Sequence, residues 1–195
     1  MSELKYPSGF NQWTVTKNID NHSGRGSPLE DDLNSSNEYY RDINKALIYK
    51  KPTPVQVVKV DYPNRAHAKI VEAYYRKPST TDYNGIYKGK YIDFEAKETK
   101  DSRGLPLFMI HEHQIHHLNK VIYHGGIGFY IVRFIKKNTT MLIDAGIMNA
   151  AIKAIDKSYI PYSWFLENGH PIPESYTPRI PYLKVVDSLY FKEDK

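Results

Sequence analysis

The sequence predicts an α/β fold in which a mixed central sheet is flanked by helices and a basic arm projects from the sheet. Segments that alternate apolar and polar residues are interleaved with segments of helical spacing, in the order helix, strands, helix, strands, helices. That interleaving builds a sheet covered by helices. The stretch from Lys50 to Ser79 interrupts it with prolines and a concentration of cations, the mark of an insertion rather than a core element. At 195 residues and without an internal repeat, the chain is expected to form one domain over residues 25–195, with the insertion at about 52–79. A domain of this size buries roughly 70% of the surface its unfolded chain exposes.

Residues 1–24 contain Pro, Gly, Asn and Ser without a periodic apolar face and are expected to be a flexible lead-in. Ser27-Pro28-Leu29-Glu30 has the spacing of a capping box with proline at the first helical position, and Leu29, Leu33, Tyr40 and Ile43 then share one helical face. Glu30 has two readings: it closes the capping box, or it reaches over the sheet towards a metal. Ala46-Leu47-Ile48-Tyr49 follows as a short buried strand.

The arm begins with Pro52 and Pro54, alternates from Val55 to Val60, turns at Tyr62-Pro63-Asn64 and returns through a stretch ending in Tyr74-Tyr75-Arg76. Over residues 50–79 it carries seven cations (Lys50, Lys51, Lys59, Arg65, Lys69, Arg76, Lys77) against two acids (Asp61, Glu72), a surplus equal to the net +5 of the whole chain. Such an arm can contact phosphates through its cations and stack unpaired bases on Tyr62, Tyr74 and Tyr75. Equally, the tyrosines could pack the arm's own base.

Thr80 to Tyr87 reads as a strand, Lys88-Gly89-Lys90 as a tight turn, and Tyr91 to Lys97 as a second, half-buried strand. The alternation places Asp93, Glu95 and Lys97 on one face and Ile92, Phe94 and Ala96 on the other. The hairpin would bring Asp82 towards Glu95. Two carboxylates can hold a hard divalent cation, and a lysine beside them can assist an attacking water or steady charge on a phosphate, which together point to phosphodiester hydrolysis. The triplet Glu-x-Lys is weak by itself: at roughly 6% usage of each residue it occurs by chance about once in a chain this long. Glu193-Asp194-Lys195 is such a chance match, in a charged terminus without apolar alternation.

A polar loop through Gly104 is followed by a helix from about His111 to His124, closed by Gly125-Gly126. Gly128 to Phe134 and Met141 to Ile143 are strands around an Asn138-Thr139-Thr140 turn, Ile147 to Ile155 is a short helix, and Tyr182 to Phe191 is a terminal helix after a proline-rich stretch from Pro161 to Pro181. His111 to His117 lacks the HExxH spacing of zinc proteases, so its histidines read as donors or as solvated residues. Gln114 would face the hairpin, where it could position a phosphate or the lysine.

Composition narrows the class further. A net charge of +5 and a pI of about 9.1 favour a polyanionic partner. The absence of cysteine excludes disulfides and cysteine-based zinc sites, and no apolar run is long enough to span a membrane. Without a hydrophobic signal core in Met1 to Thr16, a cytoplasmic protein is expected.

Several segments together resemble RecU, the Holliday junction resolvase of the PD-(D/E)XK nuclease superfamily. They are Gly24-Arg25-Gly26 with Leu29-Glu30, the run Lys50 to Gln56, the run Tyr74 to Gly85, the run Tyr91 to Lys100, and His113-Gln114, with a return at Pro178-Arg179 and Tyr182-Leu183. The resemblance implies a restriction-endonuclease-like core with a protruding stalk. Asp82 and Glu95, with Thr80 and Gln114 beside them, would then hold Mg2+ or Mn2+; Lys97 would serve the attacking water, and Glu30 would complete the acidic cluster. Arg25, Lys50, Arg65, Tyr74 and Tyr75 fall where the family contacts the junction, and Arg76, one of the arm's cations, is expected to bind DNA beside them. Tyr75 stands where the family is expected to have phenylalanine, which preserves stacking and adds a hydroxyl. The implied assembly is a homodimer on a four-way DNA junction, with a strand-exchange recombinase and a branch-migration motor as further partners. The residues alone leave two rivals open: a nuclease of the same core acting on other DNA structures, and a non-enzymatic junction-binding regulator of a recombinase.

Overall fold

A computed structural model of the chain describes residues 28–64, 66–76 and 80–191. The expected lead-in over 1–24, the Ser27 cap, Arg25, Arg65 and the terminal Glu193-Asp194-Lys195 lie outside them.

Helix α1 (Pro28–Asp42) buries Leu29, Leu33 and Tyr40, as its spacing predicts. Ile43 lies beyond the helix and is half exposed, because the chain turns through Asn44 at positive φ to enter the sheet. A backbone donor of the first turn, Leu29 N–H, is satisfied by Glu98 Oε2 at 3.1 Å, so a carboxylate from the sheet caps the helix where its dipole favours negative charge.

The sheet has six strands in the order β1 (Leu47–Lys50), β4 (Tyr83–Tyr87), β5 (Lys90–Thr99), β7 (Ile127–Phe134), β8 (Thr139–Asp144), β10 (His170–Ile172). Only β5 and β7 run parallel; every other pair in this sheet is antiparallel, which makes the sheet mixed. The parallel pair needs a crossover, and α2 (Glu112–Tyr123) supplies it. Helices α1 and α5 (Tyr182–Tyr190) cover one face, where Ile48, Tyr83, Ile92, Phe94, Phe129 and Leu142 pack on Leu33, Tyr40, Tyr182 and Leu183. Helices α2, α3 (Ala145–Ala154) and α4 (Tyr162–Asn168) cover the other, where Tyr130, Val132 and Ile143 meet Leu118, Met148 and Phe165. At the centre of the first core Phe94 is stacked between Tyr83 and Phe129, with ring centroids 4.8 Å away on each side.

Lys88 (φ 47°) and Gly89 (φ 74°) form the two-residue turn between β4 and β5, a backbone that matches strand twist and needs left-handed conformations. Gly85, opposite Ile48, allows β1 to approach closely: a Cβ there would lie 2.0 Å from the Leu47 carbonyl oxygen. This draws Lys50 and Lys51 next to Asp82, and Lys51 N–H donates to the Asp82 carbonyl at 2.7 Å.

Several expectations are corrected. Strand β4 begins at Tyr83, so Thr80, Thr81 and Asp82 precede it. Strand β5 is covered on both faces rather than half-buried, because parallel pairing brings α2 across it. The polar loop contains β6 (Gly104–Pro106), paired with β9 (Tyr159–Pro161), and the proline-rich stretch contains α4 and β10. Pro161 and Pro181 stand immediately before α4 and α5, so these prolines open helices instead of breaking structure. Helix α3 starts two residues early, at Ala145, with the Asp144 carboxylate accepting from Gly146 and Ile147 N–H.

Strands β2 (Val55–Asp61) and β3 (Lys69–Tyr75) form a separate antiparallel hairpin, and every described residue from Pro52 to Arg76 is exposed. This is the expected stalk.

Candidate active site

The stalk returns to the sheet through Thr80 and Thr81, and Asp82 then stands immediately before Tyr83, whose partner across the hairpin is Phe94. Asp82 therefore sits opposite Glu95, and its Oδ2 accepts from Ala96 N–H at 3.2 Å. The alternation of β5 turns Glu95 and Lys97 to the α2 side, away from the Phe94 core. Lys97 Nζ lies 2.7 Å from Glu95 Oε1. Asp82, Glu95 and Lys97 line one cavity of about 510 Å3 with Glu30, Lys50, Thr80, His111, His113 and Gln114.

Helix α2 brings Gln114 to the same centre. His111 is its N-cap, and Gln114 Oε1 accepts from His111 N–H at 2.9 Å while Gln114 Nε2 donates to Glu95 Oε1 at 2.6 Å. The side chain expected among the metal ligands thus presents a donor to Glu95, its oxygen being committed to the helix cap. Glu30 shares the cavity with Asp82 and Glu95, its carboxylate 2.6 Å from Lys50 Nζ at the partly exposed edge. Among the described residues no group of three or more His, Asp or Glu side chains is arranged to hold a metal.

Two acids remain at the centre. Burial first, and the neighbouring Asp82 carboxylate second, push the Glu95 carboxyl up to about 8, against the opposing pull of Lys97. Glu95 is 1% exposed, and its Oε2 is buried without a donor. Leaving a buried carboxylate oxygen uncompensated is costly, and a cation is the partner that would relieve both the orphaned oxygen and the repulsion from Asp82. Two carboxylates fit a hard divalent cation that keeps several of its waters.

Of the expected DNA contacts, Lys50 stands at the root of the stalk in its pair with Glu30, Tyr74 and Tyr75 are 62% and 77% exposed on β3, and Arg76 follows them, with Nε 3.4 Å from Gln56 Oε1. Tyr74 OH donates to Glu72 at 2.8 Å. Sequence reasoning overlooked a second polar cluster at the cavity wall, where Asp93 accepts from Lys51 and Thr81, which line the cavity, and from Tyr91 and His117. The available signal was an aspartate on a strand face that turns out to be covered.

The family model described as "RecU: Recombination protein U" matches residues 24–188. The chain belongs to the RecU family. A relative named Holliday junction resolvase RecU, from Geobacillus kaustophilus, is 51% identical over 196 residues, covering 96% of this chain and 98% of its own. The protein of the same name from Oceanobacillus iheyensis is 50% identical over 197 residues and is covered in full. Among solved structures, Hjc, a Holliday junction resolvase from Archaeoglobus fulgidus, matches 69% of this chain with 12% identity and a TM-score of 0.40. The RecU match spans the Asp82–Lys97 hairpin, the stalk and α2 together. Among the described residues no helix is long and apolar enough to cross a membrane.

Proposed function

We propose that the chain is an endonuclease that resolves four-way DNA junctions in homologous recombination and repair, using Mg2+, with Mn2+ as a substitute. The observation that carries this reading is the pairing of Asp82 with Glu95, whose buried Oε2 lacks a donor, beside Lys97 in one cavity at the root of an exposed basic stalk. The names of the relatives support the substrate.

Asp82 and Glu95 would hold the cation, with Thr80 at the cavity wall. Bound there, it would lower the pKa of a coordinated water and offset the charge of the phosphate. Gln114 donates to Oε1 of Glu95 and leaves Oε2 as the oxygen that would be offered to the cation. Lys97, held at 2.7 Å from Glu95, places its ammonium where negative charge grows on the phosphate during in-line displacement. Lys50 and Arg76, with Arg25 and Arg65, would track the backbone, and the exposed Tyr74 and Tyr75 rings would stack on bases unpaired at the junction centre. A four-way junction has approximate two-fold symmetry, so a homodimer places one centre on each of two opposed strands and makes paired nicks. Residues 25–195 would act as a single nuclease domain with the stalk as its insertion.

The test is strand cleavage of a synthetic four-way junction with Mg2+, comparing wild type and Lys97→Ala, with linear duplex and single strand as controls. Paired nicks on the junction by wild type alone are expected. Tight junction binding without cutting in Mg2+ or Mn2+ would sink the nuclease reading, and equal cutting of linear duplex would sink the junction reading.

A further inference from the structure

Asp93 sits two residues before Glu95 on the same face of β5, is 0% exposed and is absent from the cavity lining, so it has no direct part in the chemistry proposed above. Its Oδ2 receives Lys51 Nζ at 2.7 Å, Tyr91 OH at 2.8 Å and His117 Nε2 at 2.9 Å, and its Oδ1 receives the Thr81 hydroxyl. Lys51 Nζ also donates to Thr81 Oγ1 at 2.8 Å.

The positions of these partners in the chain matter more than their number. Lys51 follows the last residue of β1, where the chain leaves the sheet for the stalk, and Thr81 is where it comes back, one residue before Asp82. Both roots of the stalk are therefore fastened to one carboxylate. That carboxylate shares β5 with Glu95 and Lys97, and its fourth partner, His117, lies about one turn along α2 from Gln114, which holds Glu95. A stalk deflected by DNA would pull on Lys51 and Thr81, and the pull would reach Asp82 through the adjoining peptide and Glu95 through β5.

Resting on the nuclease reading, we propose that Asp93 is a positioning residue that couples the seating of the stalk on DNA to the alignment of Asp82 and Glu95. It thereby contributes to the preference for cutting junctions over linear duplex. A buried acid that merely holds the fold would slow every substrate alike. A coupling acid loses its effect when the stalk no longer engages.

The experiment is a double-mutant cycle on the full chain, crossing Asp93→Asn with Tyr75→Ala and reading the single-turnover rate at saturating DNA and the junction-to-duplex ratio. Asp93→Asn alone is expected to slow junction cleavage about 10- to 100-fold, with junction binding within about threefold of wild type. The expected cycle is non-additive, the Asp93→Asn loss shrinking at least about fivefold in the Tyr75→Ala background. Tyr75 is not among the partners of Asp93, and residues that share no partner otherwise add, so an additive cycle with an unchanged junction-to-duplex ratio overturns the proposal. If Asp93→Asn does not unfold cooperatively near the wild-type temperature, Lys51→Met, which removes the stalk-side donor and leaves the acid in place, is crossed with Tyr75→Ala and read in the same way. Wild type that cuts no junction in either metal overturns the nuclease reading itself, an outcome distinct from active wild type with an additive cycle.

Discussion

Gln114 Nε2 donates to Glu95 Oε1 across 2.6 Å, joining the first turn of α2 to the middle of β5 and leaving Glu95 Oε2 as the oxygen without a donor. The amide and the Lys97 ammonium, both on Oε1, thus decide which oxygen of the acid is available. Gln114→Ala is expected to lower cleavage about 10- to 100-fold and to raise the divalent concentration needed for half-maximal rate. It also removes a helix cap worth about 1 kcal/mol. A titration of rate against Mg2+ separates the two effects, and an unchanged metal requirement would mean that Gln114 only caps its helix.

Glu95→Gln removes the charge but keeps the shape, so it is expected to abolish cleavage and spare junction binding, read by gel shift and cleavage on the same DNA. Loss of binding instead would mark Glu95 as a structural residue.

The raised carboxyl of Glu95 has a pH signature. In the fold it titrates at about 8 against an ordinary 4.5, so between these values the folded protein keeps a proton that the unfolded chain has lost. This stability is fully present below about pH 4.5 and disappears as pH rises through 8. Metal-free wild type is therefore expected to lose thermal stability from pH 5 to 8 more steeply than Glu95→Gln, as followed by melting curves. Because the carboxyl must lose its proton to bind a cation, the apparent affinity for Mg2+ should weaken by about tenfold per pH unit below 8. Parallel melting curves for the two proteins would contradict the assignment.

Phe94 lies between Tyr83 and Phe129 at the centre of the first core and is 0% exposed. Phe94→Ala is expected to cost about 3–5 kcal/mol in chemical denaturation, and Phe94→Leu distinctly less. Because Phe94 pairs with Tyr83 beside Asp82, the milder variant should also reduce cleavage.

The exposed ring of Tyr75 makes no core contact, so Tyr75→Ala should leave the melting temperature unchanged while weakening junction binding by about 1–3 kcal/mol if one base stacks on it. An equal loss on linear duplex would show that the ring does not read the junction.

How much of this was legible in the sequence depended on the range of the interactions. The β4–β5 hairpin was readable because its cues are local: Lys88-Gly89 demands a two-residue turn, and alternation then sets Glu95 and Lys97 on one face. The stalk was readable from its charge and prolines. Long-range partners were not. That Gln114 would hold Glu95 depends on how α2 crosses β5, and that Glu30 would pair with Lys50 depends on the entry of β1; neither leaves a trace in spacing. The proline-rich stretch misled because proline before a helix and proline in a loop look the same until the helix is seen, as at Pro161.

The β2–β3 ribbon bears Val55, Val57, Val58, Val60, Ile70 and Val71 in solvent, and among the described residues no third strand pairs with it. Both of its outer edges offer unpaired backbone to any extended segment that arrives, and on the strands themselves Lys59 and Lys69 are balanced by Asp61 and Glu72, the arm's surplus cations lying beyond them. The part of the molecule assigned to DNA is therefore also the part that governs its colloidal behaviour. Concentrated protein without nucleic acid will tend to self-associate through the ribbon, and added DNA should act as its solubiliser.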